Sequence, residues 1–268
     1  MEALYSYLDL FKWGLLAGVT FALSSAITSP FLILQRNALF PHALTHLLLF
    51  SILCLSIIEP FIPPWLQFPF LLVITLLIAS FIHLLTAKIK LYEDTATSLT
   101  THLFLGLALF LASITSQYNI TLLHYLFGSL MMIDFKNVLE GCLVLLATII
   151  FYFKYASLWL TKSIDREVPG LDLKKGELLL LLVITLQILV GVKLMGVLLV
   201  SAFFVFGTSL ALKISPSFKQ VIPFTSVFNI MAILGGIFLS LLLDIPFSAS
   251  VIIFMSLYVL GLFFTTRK

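Results

Sequence analysis

The sequence predicts an all-α integral membrane protein, a polytopic bundle of about eight or nine transmembrane helices forming one domain over residues 1–268. Three observations carry this expectation. Hydrophobic residues make up 61% of the chain and charged residues only 10%, whereas a soluble domain carries about 25% charge. Mean hydropathy is +1.18. The apolar runs are each long enough to cross about 30 Å of hydrocarbon as a helix. In lipid, only a helix or a closed barrel satisfies its own backbone polar groups.

Reading the runs between charged or proline-rich breaks predicts spans at 11–34, 39–58, 66–87, 98–116, 137–160, 177–195, 196–213, 220–243 and 247–265. The segment 118–133 is apolar but short and contains Gly128, which suits an interfacial or re-entrant piece. Residues 177–213 are too long for one straight helix, so a turn at Lys193-Leu194-Met195-Gly196 is expected to divide them. The N-terminal stretch carries Glu2 and Asp9 but no basic n-region. No cleavable signal peptide is therefore expected, and the first span serves as its own insertion signal. Cys54 and Cys142 both fall inside apolar runs and read as small core residues rather than a disulfide framework or a metal motif.

Lysine and arginine predict the orientation. With the C-terminus cytoplasmic, the inside segments hold Arg36, Lys88, Lys90, Lys154, Lys162, Arg166, Lys174, Lys175, Lys213, Lys219, Arg267 and Lys268. The outside then holds only Lys12, Lys136 and Lys193. The positive-inside bias thus places the N-terminus outside and the C-terminus in the cytoplasm. The net charge of +3 follows from this topology and gives no reason to expect nucleic acid as a partner.

Several chemistries are excluded by pattern. There is no Gly-x-x-x-x-Gly-Lys-Ser/Thr loop to cradle ATP phosphates, no His-Glu-x-x-His and no Gly-x-Ser-x-Gly. The chain is not expected to be an enzyme or to keep a resident cofactor. Only five histidines occur, and His83, His102 and His124 are isolated from one another in the sequence. Glu59 and Asp244 fall at outer helix ends, where each can draw cations into a vestibule or serve as an ordinary interfacial residue. The longest cytoplasmic loop, 161–176, has mixed charge and a Pro169-Gly170 break. It reads either as a solvated connector or as a docking element.

The candidate site is His42 and His46, in Pro41-His42-Ala43-Leu44-Thr45-His46 at the start of the second run. Side chains at i and i+4 share one helix face, so two imidazole nitrogens point the same way, an arrangement that suits a transition metal. Polar residues inside lipid are expensive and usually mark a pathway. On spacing alone the pair fits better as two polar residues that pack one helix against another, since His-x-x-x-His is short and common.

Several local patterns, in the right order over almost the whole chain, resemble the ABC-3 permeases of manganese, zinc and iron importers. The stretch from Gln35 to His46 resembles the family's basic residue, short linker and Gly-Asp-Ala-Leu-Ser-His. Tyr92-Glu93-Asp94-Thr95-Ala96 resembles its acidic motif before the fourth span, and Tyr125-Leu126-Phe127-Gly128 matches its Tyr-Leu-Phe-Gly. Lys193-Leu194-Met195-Gly196-Val197-Leu198-Leu199-Val200 resembles its Val-Gly-x-Leu-Leu-Val stretch, and Asp244-Ile245-Pro246-Phe247-Ser248-Ala249-Ser250 its Asp-x-Pro-x-Gly-small segment. The departures are His42 for the family's aspartate, Pro41 for its glycine, Phe50 for a proline, Gly207 for the proline of Pro-Ala-Ala, and a shortened coupling segment after Asp165-Arg166-Glu167-Val168.

The resemblance implies a type II ABC importer permease. It implies a homodimer, two cytoplasmic ABC ATPases, and an extracytoplasmic metal-binding protein that delivers the cargo. It also implies that His42 and His46 stand where the family's Asp/His pair contacts the transported metal. Two imidazoles make a softer site than carboxylate plus imidazole, which leans toward zinc, with manganese or iron as alternatives. The 161–176 loop becomes the expected ATPase contact. Competing readings are a siderophore or vitamin permease of the same architecture, a stand-alone secondary cation transporter or channel, and a membrane enzyme using the histidine pair. A secondary transporter needs its own ion-coupling residues or an inverted repeat, and neither is visible. An enzyme lacks further ligands and a general base in the same span.

Overall fold

The computed structural model describes residues 2–114, 128, 133–165, 168 and 170–265, with side chains at all of these except 2–11, 87 and 262–265. Among the described residues the regular structure is entirely helical. The order is α1 (Glu2–Leu34), α2 (Phe40–Ile58), a short 3-10 turn (Glu59–Phe61), α3 (Pro64–Ile89), α4 (Glu93–Ile114), α5 (Phe135–Ile164), α6 (Leu173–Met195), α7 (Val197–Ile214), α8 (Phe218–Leu243) and α9 (Phe247–Thr265). Eight of these are long and apolar enough to cross a membrane, and the apolar α9 follows them.

The expected break inside 177–213 falls at Gly196, which separates α6 from α7 with φ 84° and ψ 161°. That backbone conformation is open to glycine and closed to most other residues. The expected re-entrant segment 118–133 lies outside the described residues except for Gly128 and Ile133. Gly128, at φ 70°, brings its backbone so close to the Met195–Gly196 peptide that a Cβ there would overlap it.

Several helices outrun the apolar windows that predicted them, the fourth and fifth among them. The fourth begins at Glu93 rather than 98, because Glu93 and Asp94 occupy its first turn, where carboxylates complement the exposed N–H groups. The fifth runs from 135 to 164, opened by a reciprocal cap in which the Asn137 Oδ1 accepts from the Asp134 N–H at 3.1 Å.

α1 and α6 lie at the centre, whereas α3, α5 and α8 turn most of their surface outward. α1 packs against α5, α6, α7 and α8, and α2 packs against α3, α4, α6 and α7. α5 and α6 are tied at both ends. The Lys193 ammonium donates to Glu140 at 2.8 Å at one end, and Lys162 pairs with Glu177 at the other. Beside that second pair the buried Trp159 indole donates to the Gly176 carbonyl at 2.9 Å.

The core reading of the cysteines is corrected: Cys142 is exposed on α5 and Cys54 is half-buried on α2. A lipid-facing position and a packed position are equally apolar, so hydropathy does not separate them.

Candidate functional site

α1 ends where Arg36 takes a left-handed conformation, φ 61°. The Asn37 N–H then reaches the Leu32 carbonyl at 2.9 Å and the Arg36 N–H reaches Ile33 at 3.0 Å. This double bond pattern closes a helix end cleanly. Three residues later Phe40 and Pro41 open α2, proline being suited to a first turn whose N–H groups lack partners anyway. His42 follows immediately, and His46 stands about 6 Å further along the axis, one turn away.

The two rings meet edge to face, with centroids 4.6 Å apart and planes at 86°. His42 is exposed, whereas His46 is only 7% exposed. Its Nδ1 is buried and has no hydrogen-bond partner. A buried polar atom left unpaired costs on the order of 1–3 kcal/mol. That cost is removed if the nitrogen ligates a cation. The neighbouring Thr45 hydroxyl does not compete for it, donating instead to the His42 carbonyl at 2.7 Å.

The remaining ionisable groups distribute unevenly. Glu59 lies 13 residues beyond His46, about 20 Å along α2, and accepts from Gln67 at 3.5 Å. Asp244 ends α8 in a left-handed cap at φ 52°. His83 lines a cavity of about 260 Å³ with Gln35, Asn37, Glu93, Lys174 and Glu177, a cavity that neither His42 nor His46 lines. His124 lies outside the described residues. His102 is exposed on α4, which packs against α2, and its Nδ1 stands 2.7 Å from the Ser98 carbonyl. Among the described residues no three His, Cys, Asp or Glu side chains already surround one point.

The model of the ABC-3 transport family matches residues 7–265, nearly the whole length. The chain belongs to the ABC-3 transport family. Similar proteins include the high-affinity zinc uptake system membrane protein ZnuB of Haemophilus influenzae, 26% identical over 258 residues, covering 93% of this chain and 95% of that one. The manganese transport system membrane protein MntC of Halalkalibacterium halodurans is 23% identical over 270 residues, with coverage of 98% and 89%. The solved structure of PsaBC from Streptococcus pneumoniae in complex with Fab superposes with a TM-score of 0.84 at 20% identity, covering 97% of this chain and 94% of the matched chain.

This ABC-3 bundle also holds a buried polar spine that hydropathy concealed. On α6 the Gln187 amide donates to the Ser24 carbonyl and hydroxyl, both at 2.9 Å, and to Thr148 at 3.0 Å. It accepts from Thr28 at 2.8 Å. Ser29 and Thr208 share a 2.6 Å hydrogen bond. On α8 the Asn229 amide donates to the Phe203 carbonyl at 3.3 Å and to the Ala22 carbonyl at 3.4 Å. Small hydroxylated residues on α1 let neighbouring backbones approach closely, which is how helices associate where lipid removes the hydrophobic drive.

Proposed function

We propose that the chain is the membrane-spanning permease subunit of an ATP-driven transition-metal importer, and that zinc is favoured over manganese. The observation that carries the cargo class is the buried, unpartnered Nδ1 of His46 beside the ring of His42. Nitrogen-only donors suit zinc, whereas oxygen-rich sites suit manganese. The naming of similar chains as zinc and manganese uptake proteins supports the same class. In this reading a separate cytoplasmic ABC ATPase supplies the energy, because this sequence carries no P-loop. An extracytoplasmic binding protein delivers the metal, and a second copy of the chain completes the path. The N-terminus lies outside and the C-terminus inside.

Reconstitution with the ATPase in liposomes tests this reading. ATP-dependent zinc uptake is expected to exceed manganese uptake at equal concentration. Uptake without ATP would instead point to a secondary transporter, and a preference for a siderophore or vitamin would reject the metal cargo. The same vesicles report on pH. An imidazole ligates only when deprotonated, and its ordinary pKa is near 6.5. Zinc-stimulated ATP hydrolysis is therefore expected to fall once acidification protonates the pair. A flat profile would remove the histidines from the cargo path.

The 161–176 loop is the proposed ATPase contact. Its flanks, Lys162 and Glu177, pair at one end of the bundle, and Lys174 and Glu177 line the 260 Å³ cavity there. The double substitution Asp165→Lys/Glu167→Lys is expected to abolish co-purification of the ATPase while leaving the permease folded in detergent. Normal co-purification would reject this contact.

A further inference from the structure

The cavity of about 260 Å³ that the histidine pair does not line sits where α3 ends and α6 begins, two helices in direct contact. Its walls include Ile82 and Thr86 in the last turns of α3, and α6 from Lys174 to Ile184. Ten residues of helix are about 15 Å, so the groove starts at one face of the membrane and reaches into the hydrocarbon.

The groove opens sideways. On α3, Leu77, Ser80 and Leu84 stand at i, i+3 and i+7 and form one stripe. Leu77 is 66% exposed, Leu84 46%, and Ser80 is exposed as well. Facing them from α6, Leu178 is 64% exposed. Ser80 and Leu178 both line the cavity, so the apolar outer surface of the bundle runs directly into it. In a chain that spans a membrane, that surface meets acyl chains.

Positive charge gathers at the mouth. Lys174 lines the cavity itself, Arg36 stands between the lining residues Gln35 and Asn37, and Lys90 ends α3 one turn beyond the lining Thr86. All three cations are exposed. The two carboxylates in the lining are already engaged: Glu177 pairs with Lys162, and Glu93 interacts at the first turn of α4. A basic mouth above an apolar cleft matches an anionic headgroup that carries acyl chains. A soluble anion gains nothing from Leu178 and Leu181, and a neutral lipid gains nothing from the lysines.

We propose that this groove binds one anionic phospholipid, with its phosphate between Lys90 and Lys174 and an acyl chain along Leu178 and Leu181. Its placement in the cytoplasmic leaflet rests on the orientation proposed above; the binding itself does not.

Native mass spectrometry of the full chain in detergent, titrated with phosphatidylglycerol or phosphatidylcholine, tests this. Phosphatidylglycerol is expected to bind at one molecule per chain and at least about tenfold more tightly than phosphatidylcholine. Lys90→Gln and Lys174→Gln are surface changes that leave the bundle folded, and each is expected to weaken phosphatidylglycerol by about fivefold. Ser80→Trp keeps every charge but fills the lateral opening, and is expected to abolish the tight binding. Inorganic phosphate in excess is expected not to displace the lipid. Equal affinity for the two lipids would overturn the inference, as would lysine variants that bind like wild type. Unchanged binding in Ser80→Trp would do the same, since it would mean that surface charge attracts headgroups without the groove. Displacement by phosphate would mark a free-anion site and reject the lipid.

Discussion

Zinc uptake is expected to collapse in His42→Ala/His46→Ala, by more than about a hundredfold, while the permease still assembles with its ATPase. Groups that only orient metal ligands cost about 10- to 100-fold when removed, so loss of both ligands exceeds that range. Assembly is expected to survive because neither side chain anchors the bundle. His42 is exposed, and His46 leaves its Nδ1 without a hydrogen-bond partner. Truncating His46 even removes an unpaired buried polar atom, which offsets part of the packing lost. The variant His42→Asp sharpens the test. It places a carboxylate beside His46, hardening the donor set, so manganese uptake is expected to rise relative to zinc. Wild-type uptake in the double alanine variant would mean that the two rings pack α2 and do not touch cargo.

A large effect on stability is expected at Gly207. On α7 it faces Asn229 of α8 so closely that a Cβ would lie inside contact distance of the Asn229 Oδ1, with its Cγ 3.2 Å away. That amide cannot simply turn aside, since its Nδ2 is held by the carbonyls of Phe203 and Ala22 and by the Ser25 hydroxyl. Gly207→Val is therefore expected to destabilise the bundle by about 1–3 kcal/mol through overpacking. Displaced hydrogen bonds within the membrane add about 0.6 kcal/mol each. Gly106 on α4 is the matched control, because a Cβ there meets nothing within 4 Å. Gly106→Ala is expected to be neutral or to stabilise by about 0.5–1 kcal/mol, through the chain entropy that glycine loses on folding. Thermal unfolding of the detergent-purified protein reads both. Combining Gly207→Val with Asn229→Ala should recover part of the loss, since the two side chains collide directly. Equal melting of Gly207→Val and wild type would show that α7 and α8 separate freely at this level.

The span pattern was legible because lipid imposes one rule on every crossing segment. A backbone with no water to bond must become helical, and the apolar run must match the bilayer. For the same reason the break at Gly196 could be expected from length alone: two helices in 177–213 demand a turn, and a glycine stood ready to make it. Helix ends were less legible. Glu93 and the last turn of α5 are polar, so a hydropathy window stops short of them although the hydrogen-bond ladder continues.

The histidine pair was legible because four residues of separation define a shared helical face without reference to the rest of the chain. The packing of α2 against α4 was not, because it joins segments far apart in the chain. Gln187 with Ser24, Thr28 and Thr148 was hidden likewise, since partners up to 163 residues apart have no common local pattern.

By itself, then, the sequence determined what lies within one helix: the order and approximate positions of the apolar spans, the turn at Gly196, and the His42–His46 face. Those features depend on local periodicity and on the transfer of a single segment into lipid. Only the tertiary structure decided which apolar residues face protein rather than hydrocarbon, as Cys142 illustrates. It also decided that Gly207 faces Asn229 too closely to admit a side chain. These are properties of contacts between helices. Lipid and protein interior are alike to an apolar side chain, so hydropathy carries no information about which of the two it meets.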